Sequence, residues 1–136
     1  MTSKFITKDE KQILLYIIII ITGLFVINNI TENYLNTDKF LVTVLSESMK
    51  PTLYRGDIVI IKNEINYNEK DIIVFNTNNN IYIHRIIATK EQKIYRTAGD
   101  KTKIPDQWTI KNENILGKVI FKIPKLGHIN LWLAGK

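Results

Sequence analysis

Two serines on a turn, a histidine in an apolar strand and two loop aspartates are the residues that could do covalent chemistry together in this chain. The run Ser46-Glu47-Ser48-Met49-Lys50-Pro51-Thr52-Leu53 follows a strand-like stretch and leads into Tyr54-Arg55-Gly56-Asp57. A serine at the end of a strand, on a turn restrained by Pro51, can hold its hydroxyl exposed and its own N–H outward. Those are the nucleophile and the oxyanion donor that acyl transfer needs. His84 stands in Ile81-Tyr82-Ile83-His84-Arg85-Ile86-Ile87, and histidine ordinarily titrates near neutrality, which suits a general base. Asp100 follows Gly99, and Asp106 follows Pro105. Serine, histidine and aspartate supply a nucleophile, a base and a carboxylate to orient the base. Each also has an ordinary structural reading: serines cap turns, a lone histidine in an apolar strand packs as a core residue, and loop aspartates form turns. Spacing alone leaves both readings open.

Composition removes several other chemistries. With no cysteine there is no disulfide, no thiolate metal site and no cysteine nucleophile. His84 and His128 are the only histidines and form no H-E-x-x-H pair, so no metal and no cofactor is expected. The formal net charge of +6 admits nucleic acid or anionic lipid as a partner. The lysines, however, are scattered (Lys62, Lys70, Lys90, Lys101, Lys111, Lys122) rather than gathered with aromatics on one stripe. That is the pattern of a solvated surface, and no nucleic-acid partner is expected.

The elements that must position these residues fall into two parts. From Ile13 to Ile30 the chain reads ILLYIIIIITGLFVINNI, 18 positions without a charge. As a helix this spans roughly 27 Å, close to the hydrocarbon thickness of a bilayer. Nine unbroken apolar residues from Ile13 to Ile21 leave no polar face for a soluble surface helix. A cleavable leader wants small residues after its apolar run, and this chain has no alanine before Ala88. The stretch therefore reads as an uncleaved transmembrane signal anchor over residues 12–30. Lys4, Lys8 and Lys11 precede it, and only Lys39 follows closely. The positive-inside bias places residues 1–11 in the cytoplasm and residues 31–136 on the extracytoplasmic face of the cytoplasmic membrane.

Beyond residue 40 the apolar residues come in short β-branched and aromatic runs: 40–45, 57–62, 71–75, 81–87, 93–97 and 115–123. Turn material separates them, and Asn76-Thr77-Asn78-Asn79-Asn80 reads as a hairpin tip. No helix-period stretch of useful length follows. The expected fold is mostly β, a small coiled or barrel-like domain of six or more strands preceded by one transmembrane helix.

The motifs then become specific. S-E-S-M-K-P-T-L-Y-R-G-D-I-V-I resembles the signature of type I signal peptidases, usually S-G-S-M-x-P-T/A with a following G-D. I-H-R-I-I is similar to that family's second box; its bacterial housekeeping members carry lysine where this chain has His84. The chain therefore resembles the Ser-His branch, found in the endoplasmic reticulum, in archaea and in some sporulation-associated bacterial members. T-A-G-D-K-T-K-I-P-D-Q-W resembles the third box, and G-K-V-I-F-K-I-P-K-L-G the closing strand and turn. The resemblance implies a serine endopeptidase that cleaves signal peptides from exported preproteins at the membrane. It implies Ser48 as nucleophile, His84 as general base, Asp106 as its orienting carboxylate with Asp100 close by or sharing that role, and Ser46 as an oxyanion-hole donor. It also implies that an extended substrate adds to the strand before Ser48. Membrane lipid is the other expected partner, and the sequence is silent on accessory subunits.

Three departures stand out. Glu47 replaces a usual glycine, and would carry strain if that position needs a positive φ. Thr102 replaces a usual asparagine in the third box. No second apolar span is expected before Lys136, and the tail Ile129-Asn130-Leu131-Trp132-Leu133 is expected at the membrane interface. Two other readings compete. An autoprotease of the SOS-repressor type uses a lysine base and a DNA-binding domain, against which stand His84 and the span. A catalytically inactive tethered relative that binds exported chains is the reading that Glu47 and Thr102 favour.

Overall fold

The computed structural model describes residues 8–30, 34–37, 40–90, 93–133 and 135. Lys4 and Lys39, on which the orientation expectation partly rests, lie outside the described residues, as do the side chains of Ile129 and Asn130 in the tail.

Helix α1 spans Lys8–Ile30 and buries none of its residues in the protein. At ~1.5 Å per residue its 23 residues reach roughly 34 Å, enough to cross a membrane. It begins four residues earlier than the expected span. The first turn carries Asp9 and Glu10, which favour a helix N-terminus, so the helix continues through the charged Lys8–Lys11 segment.

Beyond α1, the described residues form one antiparallel sheet of seven strands, β1 (Leu41–Thr43), β2 (Ile58–Lys62), β3 (Ile72–Thr77), β4 (Asn80–Lys90), β5 (Ile94–Ala98), β6 (Ile110–Lys111) and β7 (Ile115–Ile123). Their order is β1-β2-β7-β3-β4-β5-β6. A short helix α2 (His128–Leu133) follows. The β3–β4 hairpin closes at Thr77↔Asn80, with Asn78 at φ 49° and Asn79 at φ 61°. These two asparagines supply the left-handed backbone that a two-residue hairpin turn demands, as the NTNNN run predicts.

Three register shifts bend the sheet, at Ile60/Ile61, Val74/Phe75 and Ile86/Ala88. Both faces are covered. Ile73 and Phe75 of β3 join Tyr67, Ile86, Tyr95, Ile110 and Ile115 in one apolar cluster. Val74 points the other way and joins Val44, Met49, Leu53, Val59 and Ile61 in a second. The alternation along β3 is the period-two pattern of a strand buried on both sides. The sheet is also coiled: β1 and β4, first and fifth in the order, line the same cleft.

Two features of the pairing matter for the site. β4 is shared, with residues 80–85 paired to β3 and residues 85–90 to β5. Among the described residues, the edge of β4 around Ile81–His84 therefore has no strand on its β5 side. Among the described residues β1 pairs only with β2, so its outer edge is also open. These open edges flank the cleft.

Candidate active site

The turn after β1 is pinned from below. Met49 and Leu53 are almost fully buried in the second cluster, and Leu53 N–H donates to the Met49 carbonyl at 2.9 Å. Burial of Met49 leaves its neighbour Ser48 on the cleft side. The Ser48 carbonyl is held by the Lys101 N–H at 2.9 Å, which ties this turn to the loop after β5.

His84 sits on β4 where the pairing changes from β3 to β5. Its ring lies against Phe75 (centroids 6.4 Å apart) and Tyr82 (6.3 Å), so it stands at the rim of the first apolar cluster. From there its Nε2 is 3.2 Å from Ser48 Oγ, and its Nδ1 is 2.7 Å from Asp106 Oδ2. A carboxylate only accepts, so Nδ1 is the protonated nitrogen and Nε2 is left to accept from the Ser48 hydroxyl. The His84 and Asp106 side chains are each 12% exposed, which shields their contact from water.

Asp106 is placed by the loop's return to β5. Ala98 and Pro105 form an isolated bridge, and Asp106 N–H donates to the Thr97 carbonyl at 2.8 Å. The Thr97 hydroxyl, fully buried, donates to Asp106 Oδ2 at 2.6 Å. Asp100 faces elsewhere. Its two oxygens take Arg85 Nε (2.8 Å) and Nη2 (2.7 Å), and one also accepts from the Thr52 hydroxyl. The Arg85 hydrogen bonds, with the Thr52 hydroxyl adding to them, hold the Asp100 carboxyl below the usual carboxylate range, and Asp100 in turn raises Arg85. The fork also reaches the Lys70 carbonyl at 2.7 Å, so Arg85 clamps the loop onto the sheet.

Ser46 is exposed, and its Oγ lies 3.1 Å from Ser48 Oγ. Glu47 is not among the residues with positive φ, so the glycine replacement costs no left-handed strain. Its carboxylate turns outward to Lys50 Nζ at 2.8 Å, and that hydrogen bond lowers its pKa. Thr102 is exposed, and the loop's hydrogen bonds come instead from Lys101, Lys103, Asp100 and Asp106.

Thr52, Thr97 and Gly99 are the site residues that carry no assigned role in the motif reading. A Cβ built on Gly99 would lie 2.8 Å from the Ser48 carbonyl oxygen and 3.3 Å from His84 Nε2, so nothing larger fits without displacement. Thr97, Gly99 and Asp100 all fall within the T-A-G-D run, which was the available signal. Among the described residues no group of three or more histidine, aspartate or glutamate side chains could hold a metal ion.

Residues 42–46, 48 and 49 on one side and 81–84 on the other line a cleft of about 240 Å³ that ends at Ser48 and His84. A hydroxyl, an imidazole and a carboxylate in sequence at the end of a strand-walled cleft are equipped to attack a carbonyl in an extended chain.

A family model described as Peptidase S24-like matches residues 25–120. The chain is 29% identical over 106 residues to the signal peptidase complex catalytic subunit SEC11 of Plasmodium falciparum, a match covering 68% of this chain and 58% of that protein. It is 30% identical over 118 residues to the SEC11 subunit of Lachancea thermotolerans, covering 73% of this chain and 68% of that one. The SEC11 subunit of Yarrowia lipolytica is 26% identical over 113 residues, at 73% and 66% coverage. With a family match over most of its length and these relatives beside it, the chain belongs to the Peptidase S24-like family and is a type I signal peptidase-like protein.

Proposed function

We propose that the chain is a membrane-bound serine endopeptidase that removes N-terminal signal peptides from exported preproteins. The observation that carries this is the Ser48–His84–Asp106 relay, at 3.2 and 2.7 Å, standing at the mouth of the strand-walled cleft. His84 Nε2 takes the proton of the Ser48 hydroxyl as its oxygen adds to the scissile carbonyl. The carbonyl becomes an oxyanion, bound by the Ser46 hydroxyl and the Ser48 N–H. Collapse breaks the C–N bond, and the imidazolium gives its proton to the departing amine. Water, deprotonated by the same nitrogen, then releases the signal peptide from Ser48. Asp106 holds the ring in the required tautomer and balances its charge when protonated; Asp100 positions the loop through Arg85.

The substrate binds as an added strand. Val44 exchanges backbone hydrogen bonds with the β2 side, to the Asp57 carbonyl and from the Gly56 N–H. In an antiparallel strand the neighbouring Thr43 and Leu45 then direct their N–H and C=O groups to the open edge. The small cleft suits small side chains ahead of the cut.

α1 serves as the anchor over residues 12–30, with residues 1–11 cytoplasmic and residues 31–136 as the extracytoplasmic peptidase domain. This keeps Ser48 close to the bilayer, where a signal peptide's cleavage region emerges. The relatives are named as subunits of a complex; all the groups of the relay lie in this one chain, so cleavage is proposed of the chain by itself. The test is purified chain in detergent with a preprotein substrate, beside Ser48→Ala. Cleavage by the first and none by the second supports the proposal; equal cleavage by both, or none by either, overturns it.

A further inference from the structure

We propose that a second cavity, lined by Gly99 beside the relay, binds the first residues after the scissile bond and favours an acidic over a basic side chain there. This rests on the peptidase reading above. The cavity holds about 410 Å³ and is lined by Pro51, Thr52, Arg85, Ile87, Ala98, Gly99, Asp100 and Lys103. It shares no lining residue with the cleft between β1 and β4.

The position follows from the chemistry of the leaving group. His84 Nε2 must hand its proton to the departing amine, so the residue bearing that amine lies against Nε2. The cleft beside the strand before Ser48 takes the residues ahead of the cut. Gly99 lines the second cavity and not that cleft, and its missing side chain would sit 3.3 Å from both Nε2 and Ser48 Cβ. A peptide leaving the relay in this direction passes over Gly99 and enters the second cavity.

Selectivity follows from its walls. Ile87, 41% exposed, and the Pro51 ring give apolar contact. The charges of Arg85 and Asp100 close on each other in a two-pronged pair and leave the floor with no net charge to offer. Lys103 remains. It is exposed at the rim and, among the described residues, has no ion-pair partner. The loop holds it there through its N–H to the Gly99 carbonyl at 2.9 Å, with φ 55°. A rim with one unpaired cation attracts a carboxylate and repels an ammonium.

The experiment uses the full chain in detergent and substrates that carry Ala, Glu or Lys in turn at each of the three positions after the cut. The expected result is Glu over Lys in kcat/KM by about three- to ten-fold at one of these positions, shrinking at ~1 M salt where screening is strong. Lys103→Glu reverses that order, and Lys103→Gln flattens it, while the ranking of residues before the cut stays as in the wild type. Cleavage that is indifferent to charge after the cut, or a ranking that survives Lys103→Glu, overturns this inference and leaves the peptidase reading standing. Failure of the wild type to cut any substrate overturns both.

Discussion

Asp106→Asn separates the two loop carboxylates. Asp106 lies 2.7 Å from His84 Nδ1, and both side chains are largely shielded from water. When His84 becomes an imidazolium, a full negative charge stands against it. Two unit charges ~4 Å apart at an effective dielectric near 20 interact by about 4 kcal/mol. At about 1.4 kcal/mol per decade, loss of that charge costs on the order of 10³ in rate. The amide adds a second hazard. If its NH2 turns to His84, Nδ1 must accept and Nε2 carries the proton, the wrong tautomer for a base; such a change in a serine-protease triad costs on the order of 10⁴. The Thr97 hydroxyl, donating to the same Oδ2 as His84, favours keeping oxygen at that point, so the expected loss lies between about 10³ and 10⁴. Asp100→Asn removes a clamp rather than the countercharge, and is expected to cost about 2 kcal/mol of stability with roughly ten-fold in rate. The assay is kcat/KM on a preprotein substrate, with thermal melts to confirm folding. A folded Asp106→Asn variant within ten-fold of wild type, beside a more damaged Asp100→Asn, would refute the assignment.

Thr97→Val keeps the buried shape and deletes the hydroxyl that donates to Asp106; it should lower kcat/KM about ten-fold, as expected for one hydrogen bond to a charged group, and Thr97→Ser should restore most of it. Gly99→Ala places a methyl 2.8 Å from the Ser48 carbonyl oxygen, so cleavage should fall sharply while far-ultraviolet circular dichroism is unchanged. The Asp100 carboxyl is depressed in the folded state, so its contribution to stability is complete above the ordinary aspartate value near ~3.9 and is lost as pH falls through the lower folded value. Acid unfolding curves of wild type and Asp100→Asn should therefore differ by a constant amount above pH ~4 and converge below it.

Strand content was legible in the sequence because β-branched runs and turn residues report local preference. β7 covers the 115–123 run to the residue, and the asparagine tip closes its hairpin as composition dictates. β6 is two residues long and α2 six, too short for any periodicity to register. The motif resemblance named Ser46, Ser48, His84, Asp100 and Asp106, but the partners of the two aspartates lie in tertiary structure. His84 is 22 residues from Asp106, and Thr52 is 48 from Asp100. No local pattern encodes those contacts. Gly99 was visible as part of the T-A-G-D run but without a role, since its closeness to Ser48 depends on how two loops cross.

Activation of Ser48 is proposed to fall to a histidine, His84, rather than to a lysine. The most direct measurement is the cleavage rate of His84→Ala, with its melting curve, beside the acid side of the wild-type pH profile. His84→Ala should stay folded and fail to cut, and wild-type kcat/KM should fall with unit slope as one group is protonated. An active His84→Ala enzyme with that acid limb unchanged would assign the base to another group.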